Sequence, residues 1–253
     1  MNFLRDTWHV FQRYFGRSLS SPLYMFVSLT QPILYLVLFA PLLKSVASVP
    51  GFPGGGAYNV FVPGLLIQLG LFSATSGGWS LIAEARAGVI ERMQVTPASR
   101  LALLLGRTLR DVVMLVLQAG LIVAASVPLG LSLRMPGVAL AFVLMALIAL
   151  LMASISYAAA LLLRDENTFG AIVFGATLPV LLLSGVLLPM SLAPGWLQDV
   201  SAFNPLRYAV EAQRALFANH IADVNVLKGF VAIGGLALVT VVAAARSFSR
   251  AVR

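Results

Sequence analysis

Long stretches of this sequence carry no charged residue, and that pattern limits the possible fold more than any other feature. Six such runs have lengths of 26, 39, 22, 29, 32 and 17 residues and cover 18–43, 45–83, 112–133, 135–163, 167–198 and 229–245. A membrane-spanning helix needs about 20 mostly apolar residues. A soluble domain is roughly a quarter charged, whereas this chain of 253 residues is 10% charged and 60% hydrophobic. The sequence therefore predicts an all-α, polytopic membrane protein.

Each charge-free run has room for one span, so we expect six transmembrane helices in a single domain covering 1–253. The 39-residue run would hold two spans only if "SVPGFPGGGAY" crossed the membrane, and its glycines and prolines are typical of a loop. The first run lacks a small-residue cleavage pattern, which favours a retained helix over a signal peptide. The chain has no cysteine, which excludes disulfides and thiolate metal sites. The predicted spans are 23–43, 58–82, 108–129, 137–163, 168–188 and 227–245.

The basic residues predict the orientation. With a cytoplasmic N-terminus, twelve of the 17 Lys and Arg residues lie inside and five outside. The positive-inside rule then predicts that both termini are cytoplasmic. We expect the membrane to be the cell (inner) membrane of a bacterium or archaeon. The net charge of +8 is explained by this topology, and no nucleic-acid partner is predicted.

The segment 1–21 has the pattern of an amphipathic helix. Leu4, Trp8, Phe11 and Phe15 recur at spacings of 4, 3 and 4, with basic and polar residues on the other face. A tryptophan on the apolar face and basic residues on the polar face are typical of a helix that lies in the membrane interface. We predict an interfacial helix, with a disordered basic tail as the alternative.

The segment 189–220, between spans five and six, is too polar to span and too apolar to stand free in water. Asn204 can cap a helix whose first position is Pro205. Short external helices against the outer leaflet are the prediction for this segment.

The segment "LIAEARAGVIERMQVTPASR", 81–100, packs five charges between spans two and three. Residues 82–94 predict a short cytoplasmic helix that ends before Thr96-Pro97. A solvated connector is the alternative, but a plain connector needs only a few residues, and this one uses about 25. Alternating charge suits docking into a polar cleft on a soluble partner, where complementary charges fix the orientation.

A new helix is expected to start near Pro97 and to continue into span three. Arg107 and Asp111 stand four residues apart in it, so we expect them to pair at the membrane boundary.

The chain lacks the lysine that an ATP-binding P-loop requires. Lys44 and Lys228 are its two lysines, and neither stands in a GxxxxGK[ST] pattern. Both histidines, His9 and His220, lie outside the spans, and the acidic pair 165–166 at a span end is interpreted as a solvated turn. We therefore predict no catalytic residue, no metal site and no ion-coupling site. An active carrier of this kind would take its energy from another subunit, and an ATP-independent channel or facilitator is the alternative.

Several polar and aromatic residues within the predicted spans are candidates for a transport pathway. Gln31 and Gln68 are the stronger ones, because an amide is harder than a hydroxyl to satisfy within its own helix. Helix packing is the alternative role for all of them, since small and hydroxylated residues such as those of "GLFSATSGGW" permit close helix approach. The candidates are Gln31, Tyr35, Gln68, Phe72, Ser73, Thr75, Thr177 and Ser184.

Two stretches carry a resemblance to a known family. They are "FVPGLLIQLGLFSATSGGWSLIAEARAGVIERMQVTPASRLALLLGRTLRD", 61–111, and "LLSGVLLPMSLAPGWLQDVSAFNPLRYAVEAQRALF", 182–217. The sequence resembles the ABC-2 type permeases, membrane subunits of ABC exporters, and within them the daunorubicin-resistance-type branch. The family's pattern of proline, P-x-W and N-P is matched by Pro189, Pro194, Trp196, Asn204 and Pro205.

The resemblance implies an exporter subunit without its own ATPase site. It implies a homodimer, or a heterodimer of similar halves, bound to two separate ATPase subunits that hold the ATP and Mg; no cofactor is expected in this chain. Spans one, two and five would line the path, and a coupling helix would contact the ATPase through Glu84, Arg86, Glu91, Arg92 and Gln94. Because the path candidates are apolar or neutral, we expect a hydrophobic or amphipathic substrate such as a drug, a lipid or a lipid-linked glycan.

Overall fold

The computed structural model describes residues 3–19, 26–27, 29–38, 57–88, 100–187 and 189–251. This part of the chain is helical and contains no strand, which confirms the predicted all-α class. Two 3₁₀ turns, Val127–Leu129 and Met190–Leu192, separate longer elements. The helices are α1 Phe3–Leu19, α2 Leu29–Leu38, α3 Ala57–Arg86, α4 Arg100–Ser126, α5 Met135–Leu163, α6 Glu166–Leu183, α7 Gly195–Ser201, α8 Pro205–Phe217 and α9 Val224–Ala251.

Within the described ranges, five helices are long and apolar enough to cross a membrane, namely α3, α4, α5, α6 and α9. They correspond to the second to sixth predicted spans. The first predicted span, 23–43, is represented by α2, which covers ten residues. The rest of that span, apart from residues 26–27, lies outside the described residues, so the six-span topology stays a prediction.

The helix α5 forms the centre of the bundle and packs against α3, α4, α8 and α9. Its inward face includes Leu144, Met145 and Ile148, all fully buried. The outward faces of α6 and α9 expose large apolar side chains such as Phe174 and Leu238. An exposed apolar surface around a packed helical core is what a lipid environment requires.

Glycines allow the helices to approach closely, as expected for membrane helices. A Cβ added at Gly64 of α3 would overlap the carbonyl oxygen of Val186, and one at Gly137 of α5 would overlap the carbonyl oxygen of Leu216. The N–H of Gly78 donates to Ser156 Oγ at 2.9 Å. Glycine at these positions therefore holds α3 and α5 against their neighbours.

The segment 1–21 contains the helix α1, which packs along α4. Phe11 stacks with Trp8 at a ring-centroid distance of 5.1 Å and with Phe15 at 5.2 Å, so the predicted aromatic residues share one face. Leu4 and Trp8 are exposed, whereas Phe11 is buried in the protein. Placement of α1 in the membrane interface stays a prediction.

The segment 189–220 contains α7 and α8, and α8 is better covered than the sequence suggests. Asn204 caps it by accepting from the N–H of Leu206 at 3.0 Å, and the Asn204 amide also donates to Val180 O of α6 at 2.8 Å. The helix packs against α9, α3 and α5, and Leu206 and Phe217 are among its buried residues. It is thus an integral part of the bundle, and its external location stays a prediction.

The boundary between span two and the segment 82–94 differs from the prediction. The helix α3 continues without a break to Arg86, because Leu81 and Ile82 are still buried against the bundle. A turn follows at 87–88, where Gly88 has a φ of 68°, a conformation that favours glycine. Residues 82–86 therefore form the last part of α3, and residues 89–99 lie outside the described part of the chain.

Candidate functional site

Three side chains, from α1, the last turn of α3 and the first half of α4, lie in contact with one another. We call Tyr14, Glu84 and Arg107 the junction cluster. Arg107 forms an ion pair with Glu84 and also donates to the Tyr14 hydroxyl. That hydroxyl donates to Glu84 Oε2 at 3.0 Å, and the guanidinium lies 4.6 Å from the centre of the Tyr14 ring. The side chains of Arg107 and Glu84 are only 6% and 15% exposed. The pair is therefore buried, and α1, α3 and α4 each contribute one member.

Burial affects the acid–base chemistry of this cluster. It raises the pKa of the Tyr14 phenol above its ordinary value of 10.0; Glu84 adds to the rise, while the positive charge of Arg107 opposes it. The phenol is therefore protonated at neutral pH and is available as a donor to Glu84. Because a buried charge without its partner is costly, each member of the cluster stabilises the positions of the other two.

A second group of contacts extends the junction to α5. Arg110 donates through Nε to Ser18 Oγ of α1 at 2.7 Å and pairs with Asp111 at 2.6 Å. The hydroxyl of Tyr157, on α5, donates to the other oxygen of Asp111. The expected pair between Arg107 and Asp111 is therefore wrong, because α3 brings Glu84 to Arg107 while Arg110 and Tyr157 occupy Asp111.

Arg86, two residues after Glu84, makes a different kind of contact. Its guanidinium pairs at 3.0 Å with Asp165, which caps α6, and at 3.7 Å with Glu166, the first residue of α6. Arg86 is 54% exposed and both carboxylates are 41% exposed. Surface pairs of this kind contribute about 0–1 kcal/mol, so this link between α3 and α6 is weak.

Asp165 also caps α6, in agreement with the interpretation of 165–166 as a turn. Its Oδ2 accepts from the backbone N–H and the hydroxyl of Thr168, both at 2.8 Å. The pKa of Asp165 is below its ordinary value, mainly because of the hydrogen bonds from Thr168 and less because of Arg86. The capping role of Asp165 is thus enough to explain its position beside Glu166.

The predicted coupling residues are thus located only in part. Glu84 and Arg86 lie in the last turn of α3, where both are bonded to neighbouring elements. The other three, Glu91, Arg92 and Gln94, lie outside the described residues. Sequence reasoning missed Tyr14 and misassigned Arg107, since their partners are 70 and 23 residues away along the chain.

The predicted pathway residues are distributed over α2, α3 and the C-terminal end of α6. Gln31 is exposed on α2, Tyr35 is half-buried there, and Phe72 and Ser73 are half-buried on α3. The side chain of Thr75 lies outside the described part of the chain.

The hydroxyls among these candidates are satisfied within their own helices. Ser73 donates to Gly70 O at 3.2 Å, Thr177 to Val173 O at 2.6 Å and Ser184 to Leu181 O at 2.6 Å. These bonds agree with the packing alternative. Gln68 differs, because it is buried and its Oε1 has no hydrogen-bond partner among the described residues.

A mostly apolar cavity of about 320 Å³ lies among α3, α5, α6, α8 and α9. Leu71, Met152, Ile172 and Leu236 contribute to its wall, and Thr177 is the one pathway candidate with a described side chain that does so. The described ranges contain no group of three or more His, Asp or Glu residues that could hold a metal ion.

A comparison with known protein families identifies the family of this chain. Residues 5–218 match the profile of the ABC-2 type transporter family. The chain belongs to the ABC-2 type transporter family. The matched range runs from α1 to the end of α8 and so contains the junction cluster and all of its neighbours.

Relatives of this ABC-2 family member include proteins from three organisms, each with the name "Putative transport permease ycf38". The protein of Cyanophora paradoxa is 26% identical over 219 residues, which are 86% of this chain and 76% of the relative. The proteins of Porphyra purpurea and Pyropia yezoensis are each 28% identical, over 82% and 78% of this chain and over 72% and 69% of their own lengths.

Family membership and the apolar helices together make this chain a multi-pass membrane transport permease. It is a transport subunit rather than an enzyme itself, and the family implies that an ABC ATPase subunit works with it.

Proposed function

We propose that this permease is the membrane subunit of an ATP-driven exporter, assembled as a homodimer or as a heterodimer of similar halves, with two separate ATPase subunits. In this proposal the ATPases bind ATP and Mg, and the segment 82–94 on the cytoplasmic side receives their movement. The substrate is a hydrophobic or amphipathic molecule such as a drug, a lipid or a lipid-linked glycan. The junction cluster is the observation that carries the proposal.

The cluster determines which helices a displaced segment would carry with it. Separating Glu84 from Arg107 would leave a buried charge unpaired, at a cost of about 3–5 kcal/mol. A force on the end of α3 would therefore move α1 and α4 as well, since both are tied to Glu84.

The link from α3 to α6 behaves in the opposite way. The exposed Arg86 can exchange carboxylate partners or water at a cost of about 0–1 kcal/mol. A displacement of the α3 end can thus shift α1, α3 and α4 relative to α6. Relative movement of helix groups is the requirement for alternating access in a transporter driven by a separate ATPase.

The proposed substrate class is supported by the cavity at Thr177, whose wall is almost entirely apolar. Apolar walls with few polar groups are typical of sites for hydrophobic ligands. A strongly charged substrate would be unfavourable there, because no charged side chain is found among the described residues of the wall.

The proposal is tested with the permease and its ATPase, the latter sought in the adjacent open reading frame with a P-loop. We expect exchange of the charges in the variant Glu91→Lys with Arg92→Glu to abolish ATPase co-purification and the ATP-dependent transport of labelled amphiphiles in vesicles. Membrane insertion should be retained. The matched control is Arg5→Asp with Asp6→Arg, which also exchanges two adjacent charges without changing the net charge.

Unchanged ATPase binding in the first variant would contradict the coupling role of the segment. Movement of the amphiphile by the permease alone, without ATP or a partner, would support the facilitator alternative instead.

A further inference from the structure

A cavity of about 410 Å³ lies beneath α1, between α3 and α4. Three arginines, Arg17, Arg107 and Arg110, contribute to its wall, together with the tryptophan Trp79. One carboxylate, that of Glu84, also lies in the wall. Hydroxyl groups make up the rest of the polar lining, from Tyr14, Ser18, Ser76, Ser80 and Tyr157. We call this space the basic cavity. Its donors, guanidinium and hydroxyl groups, are those that proteins use to bind phosphate.

The positive charge of the basic cavity is only partly neutralised by the protein. Arg107 is paired with Glu84, and Arg110 with Asp111. No carboxylate of the described residues lies within ion-pair distance of Arg17. The lining therefore carries an excess positive charge that an anion could neutralise.

A buried hydrogen-bond donor of Arg107 also supports the binding of an anion. The side chain of Arg107 is 6% exposed, yet its Nε has no acceptor among the described residues. An unsatisfied buried N–H costs free energy. Because this atom is covered, a small shift of the Arg107 side chain towards an acceptor on a bound molecule would be needed to remove this cost.

The surroundings of the cavity favour a lipid over a soluble anion. Leu117 and Leu121 of α4 are exposed and follow Arg110 by 7 and 11 residues, which places all three on one face of the helix. At a rise of 1.5 Å per residue they lie about 10 and 16 Å along the helix from Arg110. An acyl chain attached to a phosphate near Arg110 would have this apolar surface along its length.

We propose that the basic cavity binds the phosphate of an anionic membrane lipid whose acyl chains lie along Leu117 and Leu121. Basic pockets between membrane helices on the cytoplasmic side are suited to lipid headgroups. The exposed Trp8 of α1 and the half-buried Trp79 in the wall fit the aromatic belt found at that depth. The site goes beyond the proposed export function, and only its assignment to the inner leaflet depends on the proposed orientation.

The experiment compares three probes on the full-length permease in detergent: phosphatidylglycerol, phosphatidylcholine and inorganic phosphate. Native mass spectrometry measures the lipid that stays bound to the permease. The unfolding temperature, measured at increasing concentrations of each probe, gives the affinity. We expect phosphatidylglycerol to bind in preference to phosphatidylcholine, and inorganic phosphate to produce little stabilisation. Arg17→Gln should weaken phosphatidylglycerol binding by about fivefold, while Arg17→Lys should retain most of it.

The matched control is Arg13→Gln, which removes the same charge from an exposed position on the same helix that does not line the cavity. Equal losses of phosphatidylglycerol binding in Arg13→Gln and Arg17→Gln would mean that general surface charge causes the effect, and this would refute the proposed site. Equal binding of phosphatidylcholine would also overturn it. Full stabilisation by inorganic phosphate would make it a soluble-anion site and refute the lipid assignment.

The assay contains no ATPase and measures no transport. Failure of the ATPase to co-purify would therefore leave the lipid site unaffected, and failure of lipid selectivity would leave the export proposal unaffected.

Discussion

The variant Glu84→Gln removes one charge from the junction cluster while preserving the size of the side chain. Arg107 would then remain buried, with 6% of its side chain exposed and no carboxylate partner. Breaking a buried pair costs about 3–5 kcal/mol. We expect the lower end, about 3 kcal/mol, because Glu84 is 15% exposed and the Tyr14 hydroxyl can still accept from Arg107.

Thermal unfolding in detergent, followed by fluorescence of the three tryptophans, measures this loss. A loss of 1 kcal/mol lowers Tm by about 2–4 °C in a chain of 150–250 residues, so Glu84→Gln should lower it by roughly 6–12 °C. The control is Arg86→Gln, in the same turn of α3, whose pair is more than 40% exposed on both sides. It should cost no more than about 1 kcal/mol.

A double-mutant cycle isolates the interaction. The double variant Glu84→Gln with Arg107→Gln should lose clearly less stability than the two single variants summed, because neither charge is then left buried alone. Additive losses, or a Glu84→Gln variant as stable as Arg86→Gln, would refute the argument that the junction is a tightly bound unit.

Two further predictions concern packing and pH. Gly64→Ala should lower the free energy of unfolding by about 1–3 kcal/mol through overpacking against the backbone of Val186. In the control, Gly120→Ala, nothing lies within 4 Å of the added Cβ, so stability should be unchanged or rise by up to about 1 kcal/mol. Equal Tm values for the two variants would contradict the close approach at Gly64. The pKa of Tyr14 is raised in the folded state, so its stabilising contribution is fully present below pH 10 or so and is lost as the pH rises through the folded-state pKa. The free energy of unfolding, measured by denaturation between pH 8 and pH 11, should therefore fall more steeply in the unchanged protein than in Tyr14→Phe. Parallel curves for the two proteins would contradict the raised pKa of Tyr14.

The sequence predicts the spanning helices well, because the requirement that sets them is local. A helix in lipid satisfies its own backbone groups, so a long run without charge is sufficient to predict α5 or α9. The same reasoning fails at helix ends, where neighbours decide. The helix α4 begins at Arg100 and directs Arg107 and Arg110 towards its neighbours. Glu84 of α3 and Tyr14 of α1 bind Arg107, and Ser18 of α1 binds Arg110, all from distant positions in the sequence.

The sequence did not predict the role of the C-terminal end of α3, because two of its charged residues differ in burial. Glu84 and Arg86 are two residues apart, which is about 200° around a helix. One therefore faces α1 and α4 in a buried cluster, and the other faces the turn before α6 in a half-exposed pair. Only the positions of the three neighbouring helices distinguish these environments. A single turn of α3 thus holds one contact that resists separation and one that exchanges readily, so a force on this turn would be passed to α1 and α4 more strongly than to α6.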